Sequence, residues 1–113
     1  MHTIIKTSGI EMTDAIRQYV DERMLTIAKL VDGYDDGAIA EVEVGKSTQH
    51  HNKGPYMRAE INLTFLGNLF RSTEEREDLY EAIDVSKDEV RRQLVEHKDR
   101  AKDDQRAPRP GKE

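Results

Sequence analysis

Apolar and polar residues alternate along the middle of the chain, a pattern typical of β-strands with one buried face. The clearest case is YMRAEINLTF at residues 56–65, and AIAEVEVGKS at residues 38–47 alternates in the same way. HTIIKTS at residues 2–8 is rich in β-branched residues and predicts a first strand that ends at Gly9. LGN at residues 66–68 predicts a tight turn, and LFRSTEE at residues 69–75 predicts a shorter fourth strand.

Two other segments repeat their apolar residues every three or four positions, as the buried face of a helix does. The first is MTDAIRQYVDERMLTIAKLVD at residues 12–32, for which Thr13 is a suitable N-cap. Its apolar stripe consists of Ile16, Val20, Met24, Ile27 and Val31. The second helix covers residues 79–102, and its apolar face consists of Leu79, Ala82, Ile83, Val90, Leu94 and Ala101.

These elements predict an α+β fold with the order β-α-β-β-β-α. Helices with one apolar stripe and strands with one apolar face pack as two layers. We therefore expect a four-stranded, mostly antiparallel sheet with two helices packed on one face and solvent on the other. Residues 1–102 form the predicted domain. Residues 103–113 hold two prolines and many charges without apolar periodicity, which predicts a disordered tail.

Composition and charge narrow the class of protein. The chain has 113 residues, enough for one domain, and no cysteine, which excludes disulfides and thiolate metal sites. It has no apolar run of membrane-spanning length and no secretory signal, so we expect a cytoplasmic protein without a membrane partner. The net charge is −5, yet residues 86–113 carry 9 basic and 7 acidic side chains, against 9 and 16 in residues 1–85.

The basic residues of the second helix are sorted to one side. On a wheel of about 100° per residue from Leu79, four of them fall between about 80° and 140°, beside the apolar face. They are Lys87, Arg91, Lys98 and Lys102, and Tyr80 shares their sector. Long basic side chains at the margin of a buried face project their charges outward, where they can meet phosphate. A merely solvated helix face explains the same pattern, so both interpretations stay open on the pattern alone.

Two sequence stretches resemble a known family. EMTDAIRQYVDERM, followed by the strands and by EDLYEAIDVSKDEVRRQLVEHKDR, is similar to the ribosome hibernation-promoting factor and ribosome-associated inhibitor family, also called sigma modulation or ribosomal subunit interface proteins. The resemblance covers about residues 2–102 and is to the short form, without the extra C-terminal domain of some members. It implies a partner, the small ribosomal subunit and its rRNA, bound at the mRNA and tRNA decoding region. The implied outcome is inhibited translation and the preservation of idle ribosomes.

The resemblance also implies which residues contact RNA. Those matching basic positions of the family are Arg17, Arg23 and Lys29 in the first helix and Arg92, Lys98 and Arg100 in the second. With the sorted residues Lys87, Arg91 and Lys102 they form the predicted RNA-binding set. Arg23 lies within an apolar stripe, so it is either ion-paired or lines a groove between the helices. Glu89, Glu96 and Thr26 stand where the family usually has lysine, which predicts weaker or rotated RNA contact.

Other chemistry has little support in the sequence. His50 and His51 lie in a polar loop without a third ligand at a convincing spacing, and His97 is expected to pack against the core. The isolated glycines, which are interpreted as turn residues, are Gly33, Gly37, Gly45, Gly54 and Gly67. We therefore expect no enzyme, cofactor, metal or small-molecule substrate, and a monomer off the ribosome. An alternative function is a protein-interaction module that pairs through the exposed edge of LFRSTEE.

Overall fold

The computed structural model describes residues 1–47 and 56–106, with side chains of the last helix described to residue 101. Six elements follow one another, and their order confirms the predicted α+β fold. They are β1 (His2–Ser8), α1 (Asp14–Val31), β2 (Ile39–Lys46), β3 (Met57–Phe65), β4 (Asn68–Arg76) and α2 (Leu79–Arg106). The predicted loop with His50 and His51 lies outside the described residues.

The four strands form one sheet in the order β1-β2-β3-β4. β1 pairs with β2 in parallel, and the other two pairs are antiparallel, so the sheet is mixed with one parallel pair. β1 and β2 are parallel because α1 connects them. The helix carries the chain back to the end of the sheet at which β1 began, so that β2 runs in the same direction. α2 packs on β3 and β4, and α1 packs on β1 and on α2.

A single core fills the space between the sheet and the helices. All five apolar residues predicted for the stripe of α1 are buried there, together with the inward-facing residues of β2 and β3. α1 begins as the sequence predicts, since the Oγ1 of Thr13 accepts a hydrogen bond from the Ile16 N–H at 3.1 Å. Burial of this stripe, rather than helix propensity, holds α1 on the sheet. Neither helix of the described part is long and apolar enough to cross a membrane.

Two boundaries differ from the prediction. β4 spans nine residues, as many as β3, so the prediction of a shorter fourth strand is wrong. Its extra residues Asn68 and Arg76 are polar, but each pairs with β3 across the ladder. α2 continues to Arg106, past the predicted boundary at residue 102, and Ala101 is exposed although it follows the apolar period. Residues 107–113 lie outside the described residues.

The turn between β3 and β4 is fixed by a carboxylate from a distant loop. Leu66 and Gly67 both have positive φ angles, 50° and 78°, as a two-residue hairpin turn requires. Asp35 accepts hydrogen bonds from the Leu66 N–H at 2.8 Å and from the Gly37 N–H at 2.9 Å. The loop after α1 and the hairpin turn are therefore held together by one side chain.

The outer face of the sheet carries a charge network centred on Glu60. Although it faces away from the helices, Glu60 is only 9% exposed, because Arg58 and Arg71 fold over it. Burial by itself would raise the pKa of Glu60, but hydrogen bonds and charges from the two arginines outweigh it and leave the pKa below its usual range. Much of this face is thus already neutralised by its own side chains.

Gly45 is not a turn residue, as the sequence suggested, but lies inside β2 against β1. A Cβ placed on Gly45 would overlap the backbone of Ser8. The two strands approach so closely there that only glycine fits.

We expect the substitution Gly45→Ala to lower the free energy of unfolding by at least about 2 kcal/mol, because backbone rather than a movable side chain occupies the space. Urea denaturation measures the change. Gly37→Ala is the matched control, since its new Cβ would meet only the side-chain Oδ1 of Asp35 at 3.3 Å. Equal losses in the two variants would contradict this account of the β1–β2 contact.

Candidate nucleic-acid interface

The helices run in the same direction and pack against each other, and we call the line along which they meet the groove. Tyr19 of α1 contacts Tyr80 near the start of α2, and Leu30 of α1 contacts Lys98 near its end. The side of α2 on which the sequence gathers its lysines and arginines is therefore the side that faces α1. The lysines and arginines that the helical wheel groups together therefore lie along the groove and not at the outer margin of the domain.

A cluster around Asp84 joins the two helices. Its carboxylate accepts a hydrogen bond from the Tyr19 hydroxyl at 2.8 Å and another from Nε of Arg23 at 2.9 Å. The guanidinium of Arg23 lies 4.0 Å from the centroid of the Tyr19 ring, which is an added cation–π contact. The ring of Tyr80 meets that of Tyr19 edge-on, with centroids 4.4 Å apart. Arg23 is thus ion-paired, and its side chain lies where the two helices meet, while its contact with RNA stays a prediction.

The cluster shifts two pKa values. Burial raises the pKa of the Tyr19 hydroxyl, and its hydrogen bond to Asp84 raises it further. The hydrogen bond to Asp84 also raises the pKa of Arg23. The tyrosine therefore stays neutral and the arginine stays charged at any physiological pH, so the cluster is a fixed element of the groove and not a titrating one.

Lys98 is occupied at the far end of the groove. Its Nζ donates to the carbonyl oxygen of Leu30 at 2.8 Å, one of the last carbonyls of α1, which lack partners within a helix. The same ammonium lies 4.3 Å from the centroid of the Tyr34 ring. Lys98, predicted to contact RNA, serves in the free protein to close the C-terminus of α1.

Lys87 and Arg91 lie between these two contacts but differ in accessibility. Lys87 is only 15% exposed, and its Nζ pairs with Asp88 at 2.6 Å. Arg91 is exposed and has no ion pair within the described part of the chain. Lys102 belongs to the same flank by its position in α2, but its side chain is outside the described residues. Arg91 is thus the groove cation most available to a ligand.

Two further cations, Arg92 and Arg100, lie on the outer side of α2 and are neutralised. Arg92 donates from Nε and Nη2 to the two oxygens of Glu89, at 3.0 and 2.8 Å, and from Nη1 to Glu96 at 2.8 Å. Arg100 donates to the other oxygen of Glu96 at 2.7 Å. The hydrogen bond from Arg92 lowers the pKa of Glu89 to about 2. Glu89 and Glu96 are thus the partners of two predicted RNA-binding arginines.

The cations of α1 do not gather in one place. Lys29 is exposed on the side of α1 that faces solvent, and Arg17 is exposed on the flank away from α2. Neither forms an ion pair with any residue that the structure describes. The predicted set is therefore divided: four members lie along the groove, two on the outer side of α2, two on other sides of α1, and one is not described.

Sequence reasoning missed the residues that organise this surface. Asp84 falls at about 140° on the α2 wheel, inside the sector of the cations, and Tyr19 borders the apolar stripe of α1. Glu89 and Glu96 were noted as departures from lysine but not as partners of Arg92, although they stand three and four residues from it, the spacings of helical ion pairs. Gln93 was missed as well. Its side-chain amide accepts from the Arg71 N–H at 3.2 Å and donates to the Arg71 carbonyl at 2.9 Å, on the outer edge of β4.

Known proteins resemble this chain throughout the domain. A profile of the family described as Sigma 54 modulation protein / S30EA ribosomal protein matches residues 3–102. A ribosome hibernation promoting factor of Azotobacter vinelandii is 31% identical over 110 residues, which are 97% of this chain and 94% of that protein. A ribosome hibernation promotion factor of Deinococcus radiodurans is 29% identical over 110 residues, but this chain spans only 55% of its length.

A solved structure agrees with these sequence comparisons. The crystal structure of the N-terminal domain of Protein Y from Thermus thermophilus is 34% identical and superimposes with a TM-score of 0.67. The match covers 86% of this chain and 99% of that domain. The likeness therefore extends over the sheet and both helices rather than over a single motif.

The Glu89–Arg92 pair predicts a specific response to acid. The pKa of Glu89 is about 2 in the folded protein against an ordinary 4.5. A depressed pKa stabilises the fold fully above the ordinary value, and that stabilisation is lost as the pH falls from about 4.5 towards 2. We expect Glu89→Gln to be less stable than the wild type at pH 7 and to lose less stability across that interval. Urea denaturation at pH 7, 3.5 and 2.5 measures the difference, and parallel pH profiles would contradict the assignment.

Proposed function

Because the chain belongs to the Sigma 54 modulation protein / S30EA ribosomal protein family, we propose that it is a ribosome hibernation factor. It binds the small ribosomal subunit at the decoding region, inhibits translation there and preserves idle ribosomes. The observation that carries this proposal is the family match over residues 3–102, which includes the sheet and both helices. A relative of nearly equal length bears the name ribosome hibernation promoting factor.

The proposed contact is to the sugar-phosphate backbone of rRNA, through the open side of the helix layer. Lys29 and Arg91 are exposed on that side without ion pairs among the described residues, so neither has to give up a partner to meet a phosphate. Such contacts position a protein on folded RNA by shape and not by base sequence. The net charge of −5 does not prevent this, since charges more than about 8 Å apart are largely screened at physiological salt.

Arg92 and Arg100 join the contact by exchanging partners. Both are exposed, with 60% and 72% of their side-chain surface accessible, and both are bound to carboxylates of their own helix. Solvent screens ion pairs at such exposed sites and reduces their contribution to stability, so a phosphate can compete with the carboxylates for these arginines. The displaced Glu89 and Glu96 would then lie near the RNA backbone, which weakens binding relative to a chain with lysine at those positions.

The mechanism is occlusion of a site that mRNA and tRNA need, and no bond is made or broken. The groove is formed by ion pairs, aromatic contacts and exposed cations. The proposal accordingly assigns the chain no catalytic residue, no cofactor and no small-molecule substrate. The free chain acts as a monomer, and the cytoplasm, where ribosomes work, is its proposed location.

The alternative of an interaction module that pairs through β4 receives no support from the edge itself. The Gln93 amide occupies both main-chain groups of Arg71 that point outward, as a neighbouring strand would. A partner strand would have to displace Gln93, whose Nε2 also donates to Glu89 at 2.9 Å. Native proteins commonly block edges by such means.

We expect the double substitution Lys29→Glu/Arg91→Glu to reduce co-sedimentation with purified small ribosomal subunits at least about tenfold. The two new carboxylates would repel the phosphates that Lys29 and Arg91 attract. Each lost phosphate contact lowers the affinity and makes it less sensitive to salt. The measurement is the bound fraction across a range of protein concentrations at about 0.1 M salt. Circular dichroism checks that the variant is folded.

Lys6→Glu/Lys46→Glu is the matched control, because it changes the net charge equally but on exposed positions of the sheet. If both variants lose binding to the same extent, total charge and not the helix layer governs the association. If neither loses binding, the proposed contact surface is wrong.

The Glu89→Gln/Glu96→Gln variant is expected to bind small subunits at least about threefold more tightly than the wild type. Both substitutions free Arg92 and Arg100 and remove two negative charges from the contact, while glutamine preserves side-chain size. Dissociation constants from fluorescence anisotropy of the labelled protein measure the change. Unaltered or weaker binding would show that the outer side of α2 does not approach RNA.

A further inference from the structure

An open cleft of about 310 Å³ lies where α1 passes the first turn of α2. Its lining residues are Ala15, Gln18, Tyr19, Glu22 and Tyr80, and we call it the tyrosine cleft. The small side chain of Ala15 leaves room above the rings. By helical position it opens on the same side of the helix layer as Lys29. We propose that the tyrosine cleft receives an unpaired nucleobase that carries an amino group; this inference rests on the proposed function, since the base belongs to the bound rRNA.

The aromatic wall of the cleft is held in place before any ligand arrives. The Tyr19 hydroxyl is bound by Asp84 at 2.8 Å, Arg23 covers one face of the ring, and Tyr80 packs edge-on at 4.4 Å. Tyr80 is half-buried, and none of the described residues pairs with its hydroxyl. A preorganised aromatic surface binds a flat base with little loss of side-chain entropy. Proteins that bind unpaired RNA use such rings to stack the bases.

The polar rim selects for hydrogen-bond donors. Nε2 of Gln18 directs one of its two N–H groups along the rim to Oε1 of Glu22 at 3.1 Å, and the Gln18 carbonyl remains an acceptor. The Glu22 carboxylate is acceptor-only. Guanine presents two adjacent donors on its Watson–Crick edge, and adenine and cytosine each present an amino group, whereas uracil presents one donor between two acceptors. The rim therefore favours guanine, adenine or cytosine over uracil.

A cationic side chain of a ribosomal protein is the competing occupant, since tyrosine rings and a carboxylate also attract cations. The guanidinium of Arg23 argues against it. It already lies over Tyr19, 4.0 Å from the ring centroid, and its Nη1 is 3.8 Å from the Glu22 carboxylate. A second cation would have to share both the Tyr19 ring and the Glu22 carboxylate with Arg23, while a neutral base would not.

The test is an NMR titration of the isotope-labelled full chain with four RNA heptamers. Each heptamer has uridine at its six outer positions, and the central nucleotide is guanosine, adenosine, cytidine or uridine. We expect the guanosine heptamer to bind at least about fivefold more tightly than the all-uridine heptamer, as expected for one stacked and hydrogen-bonded base. Amide signals of Gln18, Glu22 and Tyr80 should shift. Glu22→Gln should abolish the preference, and Tyr80→Leu should weaken all amino-bearing heptamers, whereas Tyr56→Leu, at an exposed tyrosine that precedes β3 and lies outside the cleft, should change neither.

The outcomes separate the two proposals. If the wild type fails to co-sediment with small subunits, the proposed function is wrong. If it co-sediments but binds all four heptamers equally, or if Glu22→Gln keeps the guanosine preference, only the tyrosine cleft assignment is overturned. Shifts of the cleft signals with arginine amide and not with the guanosine heptamer would likewise overturn it, in favour of a protein side chain. Glu22 is exposed, so its variant tests the proposal even if Tyr80→Leu does not fold.

Discussion

The geometry of the helix layer depends on one carboxylate. Asp84 of α2 binds both Tyr19 and Arg23 of α1, and the Tyr19 ring in turn carries Arg23 on its face and Tyr80 at its edge. At the other end Lys98 closes α1 by binding the Leu30 carbonyl. These two contacts fix the helices side by side above a common core. The exposed cations, the neutralised arginines and the tyrosine cleft take their positions from that arrangement.

The distribution of charge is compatible with the proposed RNA contact of an acidic chain. Much of the outer sheet face is neutralised around Glu60, and the outer side of α2 is neutralised around Glu89 and Glu96. Exposed positive charges without ion pairs in the described part lie near the open side of the helices at Lys29 and Arg91, and elsewhere at Arg17, Lys6 and Lys46. A chain with lysine in place of the two glutamates would carry a wider positive surface. We instead expect this protein to bind RNA with moderate affinity. That affinity should depend strongly on whether Arg92 and Arg100 exchange their carboxylate partners for phosphates.

Most of the fold follows from local patterns. The alternation of apolar and polar residues predicted the strands. The apolar stripe of α1 is buried at every predicted position, and Thr13 caps the helix as expected. What failed depends on contacts between distant residues. The length of β4 is set by its pairing with β3. The need for glycine at position 45 comes from the close approach of Ser8 in β1. Ala101 is exposed because it lies beyond the end of the core. The wheel correctly grouped the cations of α2, but it could not show that α1 lies beside them or that Asp84 binds across the groove.

The central claim is that exposed cations of the helix layer, and not those of the sheet, bind rRNA phosphates. The salt dependence of the dissociation constant for small ribosomal subunits tests it most directly, since each phosphate contact contributes about −0.7 to −0.9 to the logarithmic slope. With two to four contacts the account predicts that log K falls with log salt at a slope between about −1.5 and −3.5. A slope near zero would contradict it, because an association that ignores salt cannot be held by phosphate.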